Sequence, residues 1–511
     1  MKRVVLQIKN PCVVILVVVI CSLPAIIAFL QPGFPRTDDG NWMIIRLSAF
    51  YESIRAGEFP VRWLSRLNFG YGYPVSNFLY PGFMYLGVPI AIVTSSFVTT
   101  VKVLFALSLI GSSVGMYLWL RGRFGQWASF IGAMMYLYSP YHLYDATVRG
   151  SLGEVLVLCM LPFVFWAIDR KSVGLTGLFL GFLLISHNTL AILFLPIIVL
   201  YQLLSPNEGV SNGRKWAGIM LGMSLSSFFW IPAIADLGST VFSQVKISEW
   251  VDYFADFRLI GIVQFLVILI SLFFIRKNDF RSLKNRVIVL FLIVSILSLF
   301  MSTVFSSFLW KHLPVQFIQF PFRVLSVTIF SSAFLGAWLF EYLPRRILFS
   351  LVMLVLMVIS ALPYILPSGY DAFEDGFYST NQATTTIKNE YMPRWVREIP
   401  TTSTTLVTAQ SAVISDISHK GSAINFTAQA QMKERILINQ TYFPGWRVRI
   451  DNKVVPISYD NPHGVIAVDV YKGKQNVAAT FEETPLRLFA NVVSGLSLVI
   501  LVGFLLRKIK I

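Results

Sequence analysis

Long apolar runs separated by short polar connections fill the first 366 residues, and a different pattern then takes over. The runs lie near 11–30, 101–120, 126–141, 153–168, 173–187, 189–204, 215–234, 258–275, 286–303, 323–342 and 346–366, and one more follows near 487–506. A helix needs roughly 20 apolar residues to cross a bilayer, so the pattern predicts about twelve transmembrane helices. The stretch Phe83–Phe97 is short and broken by Pro89, and it reads as a helix dipping into the membrane interface.

Residues 31–100 form a long connection after the first span. Apolar positions at 44, 47, 50, 51 and 54 fit one face of a helix lying parallel to the membrane, which Gly57 can end. The segment Gly70-Tyr-Gly-Tyr-Pro74 with Tyr80-Pro81 reads as an ordered interfacial loop with aromatic anchors.

After Leu366 helical patterning gives way to alternation. Ser422–Gln429, Arg435–Phe443, Gly464–Val470 and Asn476–Phe481 read as strands, and Trp446–Pro456 as a hairpin turning at Asp451-Asn452. The expected organisation is a transmembrane domain over 1–366, a small extracytoplasmic β-sandwich over 367–486, and a last helix with a basic tail over 487–511. Trp446 and Tyr442 fit the core of the β-domain better than a ligand platform.

Composition sharpens the assignment. Only 13% of the 511 residues are charged and 55% are hydrophobic, against about 25% charged in ordinary soluble domains. The net charge of +16 does not point to nucleic acid, because the basic residues sit in short connections between apolar runs. Arg121 and Arg123, Arg170 and Lys171, Arg214 and Lys215, the cluster Arg276–Arg286, Arg345 and Arg346, and Arg507–Lys510 all fall on one side of the expected topology. The positive-inside rule makes that side cytoplasmic, with both termini there. The basic start followed by an apolar run reads as an uncleaved signal anchor. Cys12, Cys21 and Cys159 lie in apolar runs and suggest no disulfide framework.

In this topology the unusual polar residues collect on the outer side: Asp38, Asp39, His142, Asp145, Arg149, Glu154, His187, Asn188, Asp236, Glu249, Gln316, Gln319 and Arg323. Asp38 and Asp39 are the strongest candidates. A carboxylate pair at a membrane mouth is costly to desolvate and suits a general base; a divalent cation, if one is used, would fall to the same pair. Arg149 and Arg323 suit phosphate recognition, since guanidinium pairs bidentately with phosphate oxygens; contact with lipid headgroups is the competing reading. Gln316 and Gln319 share a side with Arg323 if that segment is helical. Glu154 opens a span and His187 ends one, which suits terminal capping as well as a site.

Taken in order, the Asp pair, the interfacial helix, the Tyr-Pro segment, Ser139-Pro140-Tyr141, Ser186-His187-Asn188, Gln319-Phe-Pro-Phe-Arg323 and Tyr442-Phe-Pro-Gly-Trp446 before Asp451-Asn-Lys453 form a pattern. That pattern resembles the GT-C class of membrane glycosyltransferases. Within it the chain is most similar to YfhO-like bacterial membrane proteins and the related 6-pyruvoyl-tetrahydropterin-synthase-related proteins, with Asn452 where the usual hairpin has Gly. The resemblance implies transfer of a sugar from a polyprenyl-phosphate carrier to an extracytoplasmic cell-envelope acceptor, in a prokaryotic plasma membrane. It implies a first-loop carboxylate, Asp38 or Asp39, acting as general base or metal ligand; beside it, the residue chemistry read above makes Arg149, Arg323, Gln319, Gln316, Glu154 and His187 the expected carrier or substrate contacts. A lipid-linked saccharide flippase and a non-catalytic envelope scaffold are the alternatives.

Overall fold

In the computed structural model, residues 11–204, 212–244, 250–275, 283–342 and 346–509 are described. Glu249 and the basic residues Arg276, Lys277, Arg281, Arg345 and Lys510 lie outside them, as does the side chain of Gln316.

The first part is a helical bundle and the last part is mostly strand. Among the described residues five helices are long and apolar enough to cross a membrane: Cys12–Phe29, Phe97–Arg121, Leu152–Asp169, Pro321–Tyr342 and Pro485–Leu506. Two bent pairs, Gly213–Leu225 with Ser227–Ser239 and Arg286–Ser302 with Val304–His312, raise the number to seven. Other expected spans are shorter. Val173–Ser186 has 14 residues, about 21 Å at 1.5 Å per residue, and breaks where His187 leaves helical geometry. Gly82–Thr94 is likewise a short apolar helix with Pro89 inside it.

One feature of the bundle concerns its basic end. Arg123 donates to both carboxylate oxygens of Asp169, at 2.8 and 2.6 Å, and the Tyr201 hydroxyl meets the same carboxylate. This ties together two connections that the apolar pattern alone would leave free.

The expected interfacial helix spans Gly40–Ala56, and Gly57 ends it with φ 97°. A side chain there would be strained in the left-handed region, which is why glycine suits the position. The expectation of one apolar face lying on the membrane needs correction, because every residue from Met43 to Phe50 is buried. The polar ones find partners: Arg46 donates to Thr385 Oγ1 at 3.1 Å, and Ser48 to the Tyr378 carbonyl at 3.1 Å. The helix is therefore packed between the bundle and the linker that follows it.

The C-terminal strands form a five-stranded and a three-stranded sheet. The larger runs Val413–Lys420, Ala423–Ala430, Gly473–Phe481, Trp446–Ile450, Lys453–Val455 in spatial order; the smaller runs Val407–Thr408, Glu434–Thr441, Val465–Val470. Phe426 and Val448 from one sheet join Ile438 and Val468 from the other in a single buried cluster. The hairpin turns at Asp451 and Asn452, with φ of 47° and 66°. Two positive φ values match a two-residue turn of type I′, where Asn and Asp are tolerated in place of Gly.

The strands sit on the long first loop. The Trp63 ring stacks on Phe443 and Phe481 and meets Trp446 edge-on, while its indole N–H donates to Gln440 at 2.9 Å. Phe34–Pro35 pairs with Tyr370–Asp371 as a short antiparallel ladder. The loop and the β-rich segment therefore lie on one side of the bundle. The last helix is anchored there through Arg487, whose Nε and Nη2 contact Asp236 Oδ2 at 2.9 and 2.8 Å.

Candidate active site

The connection carrying Asp38 and Asp39 is held by its backbone. Asp38 N–H donates to the Val148 carbonyl at 3.0 Å and Asp39 N–H to the Arg149 carbonyl at 2.7 Å. Those acceptors belong to Asp145–Arg149, a single turn of π-helix, a wide geometry that is often found at functional sites. Gly150 closes the turn at φ 66°, and a Cβ there would come within 2.3 Å of Thr37 Oγ1 and 2.8 Å of the Gly40 nitrogen. We expect Gly150→Ala to add about 1–2 kcal/mol of left-handed strain and to push the Asp pair away from the turn. A variant with unchanged melting and unchanged activity would show that the loop does not need this close approach.

Asp39 occupies the N-terminal cap of the Gly40–Ala56 helix, yet its side chain does not cap. The Thr37 hydroxyl takes that role by accepting from Gly40 N–H at 3.1 Å. The Asp39 carboxylate is left to face inward, with Oδ2 3.9 Å from Arg149 Nη2. Asp38 is the more exposed of the two. The surrounding protein nevertheless pushes its carboxyl up, with Asp39 adding to the rise and Arg149 opposing it.

Behind the pair lies a buried charge network centred on Glu154. Its Oε1 accepts from Arg149 Nη1 at 2.6 Å and Arg323 Nε at 2.9 Å, and its Oε2 accepts from the Tyr141 hydroxyl at 3.0 Å. Arg149 also donates to Asp145 Oδ1 at 2.7 Å. Two guanidiniums thus face two carboxylates, all buried. The Phe320 ring lies under both Arg groups, at 5.5 and 5.0 Å. Arg323 Nη1 is held by the Ile318 carbonyl at 2.7 Å and Gln319 Oε1 at 3.2 Å. Among the described residues, neither Arg149 Nη2 nor Arg323 Nη2 donates a hydrogen bond.

The structure therefore brings Asp38, Asp39, Arg149, Glu154, Gln319 and Arg323 into one neighbourhood. His187 sits at its edge, with Nε2 3.7 Å from Glu154 Oε1 and its ring 4.6 Å from that of Tyr80. Its Nδ1 accepts from Leu190 N–H at 3.3 Å, so it also caps a helix. His142 faces elsewhere, bonding the Tyr136 carbonyl at 3.1 Å. The segment before Arg323 is not a continuous helix. Gln316–Ile318 and Pro321–Val324 are separate 3₁₀ turns, and Gln319 between them has φ 67°. Gln319 reaches Arg323 through this reversal rather than along a helical side. Among the described residues no three His, Cys, Asp or Glu side chains converge to hold a metal ion. Asp38 and Asp39 would offer only a two-carboxylate edge, of the kind Mg²⁺ completes with water and substrate phosphate.

Sequence reasoning missed Glu390. It comes from the linker before the strands, beside Tyr391, which stacks on Phe78 with ring centroids 5.2 Å apart and donates its N–H to the Tyr73 hydroxyl at 3.0 Å. Glu390 lies within electrostatic reach of Arg46, Arg323 and Asp39. Burial pushes its carboxyl up from 4.5 to about 7, although Arg46 and Arg323 pull it down. The folded chain then holds a proton that the unfolded chain releases. Stability should fall as pH rises from about 4.5 to about 7, by an amount on the order of 3 kcal/mol. Glu390→Gln should remove that slope and melt higher than the parent at pH 8, while differing little near pH 4. Parallel melting curves across this range would contradict the assignment.

The family model described as 6-pyruvoyl-tetrahydropterin synthase related domain, membrane protein, matches residues 79–368, more than half of the chain. The chain belongs to this family. It is an integral membrane protein, as the family description and the apolar helices together indicate. No curated protein matches it. Among solved structures, the arabinofuranosyltransferase AftD from Mycobacteria is similar at a TM-score of 0.50 and 14% identity, over 71% of this chain and 28% of AftD. The oligosaccharyltransferase AglB from Archaeoglobus fulgidus, determined with an inhibitory peptide and a dolichol-phosphate, aligns at a TM-score of 0.42 and 14% identity, over 73% of this chain and 56% of AglB. The chain thus spans only about a quarter of the length of AftD and just over half that of AglB. The likeness to AftD is one of fold alone.

Proposed function

We propose that this protein is a GT-C-type glycosyltransferase that moves a sugar from a polyprenyl-phosphate carrier to an extracytoplasmic acceptor of the cell envelope. One observation carries the reading. An inward-facing Asp39 carboxylate stands 3.9 Å from Arg149 Nη2, above a buried Arg pair that keeps unengaged N–H groups. Transfer needs a base for the acceptor hydroxyl and cations for the phosphate that leaves. Asp39 is the base in this reading, because Asp38 is the more exposed of the pair. Arg149 and Arg323 hold the carrier phosphate through their Nη2 groups. Glu154 and Asp145 keep the guanidiniums oriented, and Gln319 fixes Arg323.

The arrangement calls for the loop, the Arg pair and the β-rich segment to face outward, with the basic connections and both termini in the cytoplasm. The direct test is sugar transfer by purified protein from radiolabelled polyprenyl-phosphate sugars to an envelope-fraction acceptor. Transfer by the parent that fails in Asp39→Asn would support the reading. No transfer from any of these donors would favour the scaffold alternative.

Arg323→Lys provides a second check. A lysine can still neutralise Glu154 but offers no second N–H in a fixed fork. Carrier affinity should fall about tenfold or more, the loss of one charge-assisted hydrogen bond being worth about 1.5–3 kcal/mol, while melting changes little. Unchanged carrier binding would remove Arg323 from the phosphate site.

A further inference from the structure

A cavity lies away from the Asp pair. It has a volume of about 390 Å³ and is lined by the Gly40–Ala56 helix, the loop around Phe69, the linker and the strands. Small-ligand pockets run from about 300 to 1,000 Å³. Glu52 of the helix lines it; thirteen residues separate Glu52 from Asp39, about 20 Å along a helix. The cavity is therefore a separate place, on the same rigid element.

Its chemistry is that of a neutral polyol site. Glu52 and Arg66 are the formally charged groups of its wall, and they form an ion pair with each other, so the wall has no net charge to attract phosphate. Hydrogen-bonding groups are fixed and left available. The Asn439 amide nitrogen donates to the Thr405 carbonyl at 2.6 Å and Thr408 Oγ1 at 2.8 Å, which leaves Oδ1 as an acceptor. Gln382 Oε1 accepts from Ser403 at 2.7 Å, which leaves its amide as a donor. Tyr71 lines the same space. The backbone beneath is strained, with Asn68 and Phe69 at φ 56° and 58°, and such outliers cluster at ligand clamps.

We propose that this cavity binds a neutral oligosaccharide, as a subsite for the distal part of the acceptor. The saccharide assignment rests on the lining; its role as acceptor rests on the glycosyltransferase reading. Long acceptors would then be held at two points about 20 Å apart, the reacting end at Asp39 and a distal unit here.

The test is binding of detergent-purified full-length protein to a printed array of neutral and acidic oligosaccharides, with affinities of retained glycans measured by titration. Neutral glycans should be retained. Ser403→Trp, at an exposed position on the rim, should block the cavity without burying new bulk in the core. It and Asn439→Ala should each weaken binding at least tenfold with unchanged melting of Ser403→Trp. Asp39→Asn should bind like the parent. Retention of acidic glycans alone, no retention at all, or equal retention by Ser403→Trp would overturn the proposal. Glycan binding by a protein that transfers no sugar would leave this site standing and remove only its acceptor role. Transfer without any effect of Ser403→Trp on short or long acceptors would overturn the acceptor role while leaving the glycosyltransferase reading intact.

Discussion

Asp39→Asn is expected to lower sugar transfer by about 10²–10⁴-fold, the usual contribution of a positioned general base. The change keeps the shape of the side chain, and no described hydrogen bond of the fold depends on that carboxylate. Melting temperature and carrier binding should therefore stay close to those of the parent. Asp38→Asn should cost much less, because Asp38 faces outward and only adds negative charge beside Asp39. The expected signature is a fall in kcat for Asp39→Asn with KM for the carrier nearly unchanged. If chelators abolish activity and both variants fail equally, the pair is acting on a cation instead. If both variants turn over at the parental rate, the pair is not catalytic.

Glu154→Leu should have the largest effect on stability. Glu154 is fully buried and receives hydrogen bonds from Arg149, Arg323 and Tyr141. Leucine would leave Arg323 buried with only a carbonyl and an amide as partners. Removing one partner of a buried ion network costs about 3–5 kcal/mol, enough to unfold many domains at working temperature. Glu154→Gln keeps an acceptor and the shape, and should lose less. The measurement is thermal melting in detergent alongside the yield of membrane-inserted protein. A Glu154→Leu variant that melts with the parent would mean that the Arg pair is supported elsewhere.

The parts of this molecule legible in sequence are those written in local pattern. The Asp451-Asn452 hairpin, the helix ending at Gly57 and the alternating strands were readable because turn chemistry and periodicity act over a few residues. The first acidic pair stood out by following an apolar span directly. Asp145 and Glu390 did not stand out as site residues, for different reasons. Asp145 is one turn from Arg149, but its meaning depends on Glu154 lying opposite. Glu390 sits in a Thr-rich linker with no periodicity, and only folding brings it beside Arg46. The strand Val413–Lys420 was missed because nearly all its residues are exposed; an edge strand with two wet faces has no alternation to read. The exact number of spans is not legible from apolar runs alone, because among the described residues several of those runs, such as Val173–Ser186, fold as helices shorter than a full crossing.

The pairing of Phe34–Pro35 with Tyr370–Asp371 sets an order of events during synthesis. The loop carrying Asp39 emerges early, yet one of its backbone partners is translated more than 330 residues later. Arg46 waits longer still for Thr385. Until the linker arrives, the loop is held by the 145–150 turn and by Lys102, which donates to the Gln31 and Gly33 carbonyls, and Arg46 lacks its Thr385 acceptor. A chain released between Tyr342 and Gly369 would carry the bundle with its Glu154 network but an unlatched loop. A nascent chain passing through that length therefore carries this loop without its late backbone and side-chain partners.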